Sequence, residues 1–262
     1  MHVLEMFSLK GRVALVTGGA GQLGRQMVTA LAEAGARTYA ASRDLDNLRA
    51  LANVCAARGL DVRAVRYDQG DESSILSLHR HIIQESGRLD VLVNNAVSRI
   101  GLFAGHRIDA ATFDEDIRIN VRGLFLITRA FAESMAERGE GGSIINVASI
   151  HGMVGMDRSL YEGTSTAGDK PTYYFQKGGM INFTRYIAAY YGPKGIRCNS
   201  ISPGGYSEEG DQEHIARYRT RTFLGRRLND TDLKGVVVFL ASDASLYVTG
   251  VNIPVDGGYT AM

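Results

Sequence analysis

Cysteine is nearly absent from this chain of 262 residues, which contains only Cys55 and Cys198. Two cysteines so far apart in sequence exclude a disulfide framework. We interpret both as small buried hydrophobic residues. This usage fits a reducing compartment, and the expected location is the cytoplasm.

An excess of charge of either sign is also missing, because 29 basic residues balance 28 acidic ones and leave a net charge of +1. Such a chain has no overall field to attract nucleic acid or an anionic membrane, and it contains no tryptophan. Residues 1–9 include an acid and no long apolar run, so we expect neither a signal peptide nor a membrane span there. The six histidines are scattered and predict no metal site.

Proline is scarce too, and no repeat or linker marks a boundary, so residues 1–262 are interpreted as one domain. Short β-branched runs alternate with longer helical patterns, which is typical of an α/β protein. The predicted fold is a doubly wound Rossmann domain with a seven-stranded parallel sheet and helices on both faces. The predicted strands are 12–17, 37–42, 61–67, 89–94, 143–148, 196–201 and 251–255. The predicted helices are 23–34, 45–58, 72–85, 110–137, 172–191 and 232–241.

Two long polar connections, near 150–170 and 204–227, interrupt this alternation, and each follows a predicted strand. Ligands of doubly wound sheets bind outside the carboxyl ends of the strands, where long connections are commonly binding loops. Both segments are therefore predicted to contact the substrate.

A glycine-rich turn joins the first predicted strand to the first predicted helix, with the sequence Thr-Gly-Gly-Ala-Gly-Gln-Leu-Gly over residues 17–24. In this position, backbone N–H groups and the positive end of the helix dipole can hold a pyrophosphate, and glycines allow it to approach closely. We predict dinucleotide contacts at Gly18, Gly21, Gln22, Leu23 and Gly24.

The end of the second strand decides which dinucleotide is preferred. A carboxylate there would bind the adenosine ribose and repel a 2′-phosphate. This chain has Ser42 and Arg43 instead, whose hydroxyl and guanidinium can bind that phosphate. NADP(H) is the predicted cofactor; NAD(H) remains the alternative if Arg43 is only a solvated residue.

Tyr173 and Lys177 lie four residues apart at the head of a predicted helix, and therefore on one face of it. A tyrosine pKa near 10 is too high for efficient proton transfer at neutral pH. An ammonium about 4 Å away would favour the phenolate by at most about 4 kcal/mol. Tyr190 and Lys194 have the same spacing, but Gly192 and Pro193 between them would break the helix, so we interpret this match as accidental. Tyr174 points away from Tyr173 around the helix and has no lysine four residues later.

Two polar residues support this pair. Ser149 follows the fifth predicted strand and could hold the substrate oxygen for Tyr173. Asn120 is unfavourable inside a helix, and we expect it to bind a water or to kink the helix, linking Lys177 to solvent.

These residues together resemble the short-chain dehydrogenase/reductase family over nearly the whole chain. The resemblance implies hydride transfer between NAD(P)(H) and a secondary alcohol or ketone, with Asn120, Ser149, Tyr173 and Lys177 at the active site. It also extends to the Asn-Asn-Ala-Val stretch at 94–97, to Pro203-Gly204 and to Val-Asp-Gly-Gly at 255–258. The further cofactor contacts that it implies are Asp68, Gln69, Asn94, Ala96, Tyr173, Lys177, Pro203 and Gly204.

The sequence departs from the family pattern at several points. Gln22 replaces the middle glycine of the turn, Val97 ends the Asn-Asn-Ala stretch, and the usual threonine beyond Gly204 is absent. The segment between Ser149 and Tyr173 is longer than usual, enlarged by residues 155–164. None of these changes removes a catalytic group.

Within the family, the insertion looks like that of oxidoreductases of bacterial surface glycans, and residues 7–17 are similar to those of gluconate 5-dehydrogenases. Both predict a small, polyhydroxylated substrate. One alternative is reduction of 3-oxoacyl thioesters, with an acidic carrier protein meeting Arg217, Arg219, Arg221, Arg226 and Arg227. The other is a cofactor-binding regulator without catalysis. Family members are usually tetramers or dimers built through the helices that correspond to 110–137 and 172–191.

Overall fold

The computed structural model describes residues 2–101, 105–166 and 168–261. Its seven strands, counted in chain order, form one sheet in the order 3-2-1-4-5-6-7, with every neighbouring pair parallel. The predicted fold class is confirmed. The strands are β1 Val13–Thr17, β2 Arg37–Ser42, β3 Val62–Arg66, β4 Val91–Asn94, β5 Gly142–Val147, β6 Ile196–Pro203 and β7 Asn252–Val255.

Helices cover both faces of this sheet. Ala14 and Val16 of β1 pack in one apolar cluster with the helices on one face, whereas Val13 and Leu15 pack in a second cluster with the helices on the other face. The alternation follows from the two-residue period of a strand. The helices are α1 Gln22–Glu33, α2 Leu45–Ala56, α3 Glu72–Ser86, α4 Ala110–Ile117, α5 Gly123–Arg138, α6 Pro171–Tyr191, α7 Gln212–Thr220 and α8 Lys234–Ala241.

Two helical predictions are corrected. The stretch 110–137 is not one helix, because a π-helical turn, Arg118–Arg122, separates α4 from α5. The connection 204–227 is not irregular throughout, since it contains α7. This helix is polar on most of its surface and buries only His214, Ile215 and Tyr218, so its apolar periodicity is weak.

The chain reverses its direction across the sheet between β1 and β4, and the crevice at the carboxyl ends of these strands is where such folds bind ligands. None of the described helices has both the length and the hydropathy to span a bilayer. Within the same residues, no group of three or more potential metal-ligating side chains comes together.

Candidate active site

The turn between β1 and α1 has no room for a side chain at Gly18 or at Gly24. Gly18 has a φ of +67°, and a Cβ on it would lie 2.9 Å from the Cα of Ala96. A Cβ on Gly24 would lie 2.2 Å from the carbonyl oxygen of Gly18. Because these obstacles are backbone atoms, only glycine preserves this shape.

The N-terminus of α1 is open to an anion. Its N-cap residue is Gly21, so no side chain caps the N–H groups of Gln22, Leu23 and Gly24. These N–H groups and the positive helix end suit a pyrophosphate, and a dinucleotide fits the cradle. Four other helices, in contrast, are capped by aspartates: Asp44, Asp71, Asp109 and Asp211.

Thr17 and Asn95, which the sequence analysis did not single out as site residues, hold this turn. The Thr17 hydroxyl oxygen accepts the N–H groups of Asn95 and Ala96, both at 3.0 Å. The Asn95 amide donates to the carbonyl oxygens of Thr17 and Gly18 at 2.9 and 3.1 Å. The pairing of β1 with β4 places these residues together, and the Asn-Asn-Ala stretch was the signal for it.

At the end of β2, Asp44 is committed to capping α2 through the N–H of Asn47, at 3.1 Å. Ser42 accepts the Asp44 N–H at 3.2 Å. Arg43 is exposed and forms no ion pair with any described residue. The arrangement leaves a guanidinium, rather than a carboxylate, available beside the adenosine end of the crevice.

Side chains of two predicted cofactor contacts are engaged inside the protein. The buried Gln69 amide donates to the carbonyl oxygen of Ile119, at 3.0 Å, and thereby supports the π-helical turn. Asp68 accepts the N–H of Gly70 at 2.9 Å. Any contact of Gln69 with a dinucleotide is therefore left to its backbone.

Asn94 belongs to a buried row of polar side chains that crosses β4 and β5. Its amide donates to Thr128 of α5 and to Asn146 of β5, both at 2.9 Å. Asn146 donates in turn to Thr184 of α6, at 2.9 Å. The Asn94 side chain thus fixes the helices that carry the site.

Tyr173 and Lys177 lie one turn apart near the start of α6, as predicted. The Lys177 Nζ is 5.5 Å from the centroid of the Tyr173 ring and donates to the carbonyl oxygen of Val147 at 2.6 Å. Burial of the ammonium lowers the pKa of Lys177 to about 8. The end of β5 therefore holds the lysine against the tyrosine.

The pKa of Tyr173 is raised by burial, while the nearby Ser149 hydroxyl and the charge of Arg99 act to lower it. The expectation that Lys177 makes Tyr173 acidic is thus corrected, because desolvation outweighs the charges of the chain. Arg99 is a residue that the sequence analysis missed, since it lies in an irregular loop after β4.

Ser149 follows β5 and is buried, and its hydroxyl accepts the N–H of His151 at 3.2 Å. The His151 ring lies 5.9 Å from that of Tyr173 and 4.7 Å from that of Tyr174. Burial and the charge of Lys170 lower the pKa of His151 to about 4. His151 is therefore a neutral hydrogen-bonding group beside Tyr173 at physiological pH.

Asn120 lies within the π-helical turn, so the helix is interrupted where the sequence indicated. Its Oδ1 accepts the N–H of Ser98 at 2.7 Å, and its Nδ2 donates to the Ser98 carbonyl oxygen and to Asp116. The amide therefore anchors the loop that follows β4.

Pro203 ends β6, and Gly204 begins a cavity of about 100 Å³ at the carboxyl ends of β6 and β7. The N–H of Gly205 donates to the Tyr218 hydroxyl oxygen at 2.6 Å, and the Arg227 guanidinium lies over the Tyr218 ring at 5.4 Å. This side of the crevice is lined by an aromatic ring and a cation.

The insertion between Ser149 and Tyr173 packs on α7. Arg217 donates to the carbonyl oxygens of Ser159 and Glu162 at 2.8 and 2.6 Å. The Ser165 N–H and hydroxyl both donate to the Asp211 carboxylate, at 2.6 and 2.9 Å. We call the two segments, 155–166 and 207–221, the roof.

The arginines considered for a carrier protein are mostly paired within the chain. The ion pairs are Arg217–Glu213, Arg219–Glu208, Arg221–Asp157 and Arg226–Asp232. Their charge is locally balanced, so they do not form a free basic surface.

The fold and the site together define an oxidoreductase that uses a nicotinamide dinucleotide to interconvert a secondary alcohol and a ketone. The chain belongs to the short-chain dehydrogenase/reductase family: a family model described as enoyl-(acyl carrier protein) reductase matches residues 18–260.

Among similar proteins, D-threitol dehydrogenase of Mycolicibacterium smegmatis is 31% identical and covers 97% of this chain and 95% of its own length. The 2-dehydro-3-deoxy-D-gluconate 5-dehydrogenase of Escherichia coli is 32% identical over 99% of each chain.

Similar solved structures include a short-chain type dehydrogenase/reductase from Mycobacterium marinum, 30% identical, with a TM-score of 0.88 over 100% of both chains. A gluconate 5-dehydrogenase from Burkholderia cenocepacia in complex with NADP and tartrate is 29% identical, with a TM-score of 0.87 over 100% of both chains.

Proposed function

We propose that residues 1–262 form one catalytic domain that acts on a sugar-like alcohol or ketone, with Tyr173 as the general acid and base. The observation that carries the proposal is the convergence of Tyr173, Ser149 and Lys177 at the carboxyl edge of the sheet, beside the dinucleotide cradle. The dinucleotide supplies or accepts the hydride. Tyr173 gives or takes the proton at the substrate oxygen, and Ser149 holds that oxygen by a hydrogen bond.

The polar surroundings support a polyhydroxylated substrate. The His151 ring lies beside Tyr173, and the hydroxyl of the adjacent Tyr174 is buried without a hydrogen-bond partner among the described residues. These are polar groups where an apolar slot would suit an acyl chain or a steroid. Dehydrogenases of threitol and of a deoxygluconate are among the relatives.

The charges around Tyr173 favour a substrate that carries a carboxylate. Lys170 is half-buried, and Lys170, Arg99 and Arg227 form no ion pair with any described residue. Burial lowers the pKa of Lys170, and the charges of Arg99 and Arg227 lower it further, so these cations act on one another across the crevice. Like charges gathered in a crevice favour an anionic ligand.

Threonate should therefore be oxidised with a higher kcat/KM than threitol. Lys170→Met should reduce that preference, while the control Lys194→Met should preserve it.

NADP(H) is the proposed preferred cofactor, with NAD(H) as the weaker one. The support is the position of Arg43 beside Ser42, together with the commitment of Asp44 to helix capping. Titration should give a lower Kd for NADP⁺ than for NAD⁺. Arg43→Leu should remove this difference and the distant exposed Arg80→Leu should not; tighter binding of NAD⁺ by the unmodified protein would refute the proposal.

The decisive experiment measures NADPH oxidation on a panel of keto-sugars, keto-sugar acids and short 3-oxoacyl thioesters. We expect turnover on the sugars and its loss in Tyr173→Phe. Tyr190→Phe is the matched control, because Tyr190 is 63% exposed and also has a lysine four residues later. Turnover only on thioesters would favour the alternative reductase, and an unchanged rate in Tyr173→Phe would remove the proton donor.

We further propose a cytoplasmic homodimer or homotetramer that takes a small-molecule substrate, without a nucleic-acid or membrane partner. Both cysteines are unpaired thiols, which suits a reducing compartment.

Exposed aromatic side chains on α5 and α6 support the proposed oligomer: Phe125, Tyr186 and Tyr190 are 42%, 56% and 63% exposed. Sedimentation of Tyr186→Glu should show smaller species than that of Val54→Glu, a control on α2.

A further inference from the structure

We infer that Asp116 is a positioning residue for the catalytic tyrosine and lysine, an inference that rests on the proposed function. Asp116 is only 2% exposed and forms no ion pair with any of the described residues. Burying a carboxylate without a cation is unfavourable unless hydrogen bonds replace its water. The contacts of its two oxygens show what the carboxylate does.

Each carboxylate oxygen of Asp116 accepts a hydrogen bond from one side-chain amide. Oδ1 accepts from Nδ2 of Asn120 at 2.7 Å, and Oδ2 accepts from Nε2 of Gln176 at 2.8 Å. Gln176 is buried and immediately precedes Lys177 in α6. One carboxylate therefore ties the π-helical turn to the helical turn that carries Tyr173 and Lys177.

The loop after β4 closes on the same carboxylate. Asn120 holds Ser98 of this loop through two hydrogen bonds. A Cβ on Gly101, in the same loop, would lie 2.7 Å from Oδ2 of Asp116 and equally close to the Thr172 hydroxyl. The loop, the π-helical turn and the start of α6 thus share one anchor, which we call the Asp116 clamp: Ser98, Asp116, Asn120 and Gln176.

Two acceptor oxygens satisfy both amide donors as they stand. An asparagine at position 116 would oppose one N–H to an amide donor, but rotation of the Gln176 amide, whose Oε1 has no described hydrogen bond, would relieve this. A glutamate at position 176 together with that asparagine would restore one donor facing each acceptor. The pair can therefore be exchanged without loss of complementarity, which distinguishes positioning from mere burial.

The experiment compares Gln176→Met, Gln176→Glu and the double variant of Asp116→Asn with Gln176→Glu. In Gln176→Met, which removes one donor, we expect kcat to fall by about 10- to 100-fold, the loss typical of a hydrogen bond to a charged group, with KM for NADPH changed less than about threefold. Gln176→Glu opposes two carboxylates, so its kcat relative to wild type should rise as the pH falls and one proton bridges them. The double variant should recover kcat to within about fivefold of wild type.

Asp114→Asn is the control, because Asp114 is exposed on the same helix and should leave kcat unchanged. Hydrogen exchange of residues 96–101 and 171–178 gives a readout that needs no substrate: exchange should quicken in Gln176→Glu and slow again in the double variant. Equal kcat in Gln176→Met and wild type, or no recovery in the double variant relative to Gln176→Glu, would overturn the inference. If Gln176→Met does not fold, Gln176→Glu and the double variant carry the test. A wild-type protein without turnover, but with this exchange pattern, would count against the proposed function and leave the clamp standing.

Discussion

Lys177 shows how a single residue of this site opposes the stability of the fold. Its ammonium is buried, and its only described hydrogen bond goes to the carbonyl oxygen of Val147. The pKa of Lys177 falls from 10.5 to about 8, so the unfolded chain holds this proton more tightly than the folded chain does. The penalty is therefore full below about pH 8 and disappears as the pH rises from there to 10.5. Its size is on the order of 3 kcal/mol.

Lys177→Met should consequently stabilise the protein at pH 7, by about 1–3 kcal/mol after allowance for the lost hydrogen bond. The gain should shrink toward pH 10, where the wild-type lysine is neutral. Urea unfolding at both pH values measures it, with exposed Lys194→Met as the control. Equal destabilisation of Lys177→Met at pH 7 and pH 10 would contradict the assignment.

At the scale of elements, the roof behaves as one piece because side chains of α7 bind the backbone of the insertion. Arg217 contacts two carbonyl oxygens there, and the Nδ1 of buried His214 lies 2.9 Å from the carbonyl oxygen of Leu160. The Tyr161 and His214 rings also pack, at 4.9 Å. Removal of one anchor should loosen the insertion without disturbing the cradle at the other side of the crevice.

Arg217→Met tests this coupling. We expect KM for the sugar-like substrate to rise about 10-fold while the Kd of NADP⁺ stays within about twofold, because only the substrate side loses its support. Arg219→Met is the control on the same helix, since Arg219 pairs with Glu208 rather than with the insertion. A rise in the NADP⁺ Kd equal to the rise in KM would show that the roof and the cradle are not separate.

At the scale of the whole molecule, dinucleotide binding should stabilise the entire fold, because the cradle joins β1, β4 and α1. At a concentration of 100 times Kd the expected gain is about 2.7 kcal/mol, which is a Tm rise of roughly 5–10 °C for a chain of this size. Gly24→Ala should abolish the rise, since its Cβ would meet the Gly18 carbonyl oxygen. Gly179→Ala, whose Cβ would meet nothing within 4 Å, should retain it. A thermal shift kept by Gly24→Ala would place the dinucleotide elsewhere.

The sequence predicts the sheet well because its strands are short, apolar and separated by clear helical periods. Tyr173, Lys177 and Ser149 also come together as expected, since each lies at the carboxyl end of a strand or at the start of the helix beside it. The sequence indicates the interruption at Asn120 but not the role of Asp116, because that role depends on contacts between segments far apart in the chain. The effect of Arg99 on the pKa of Tyr173 escapes detection for the same reason. Helix α7 escapes detection because its surface is mostly polar.

The strand order has a consequence for the nascent chain. β1 lies in the interior of the sheet, yet its second neighbour, β4, is synthesised much later, and the Val13 N–H has no Asp90 carboxylate to bind until 77 further residues have been made. Until β4 leaves the ribosome, one edge of β1, which is buried in the finished fold and apolar over Val13–Val16, has no strand to pair with. While residues 18–90 are complete but 91–94 are not, this edge is open to pairing with other chains.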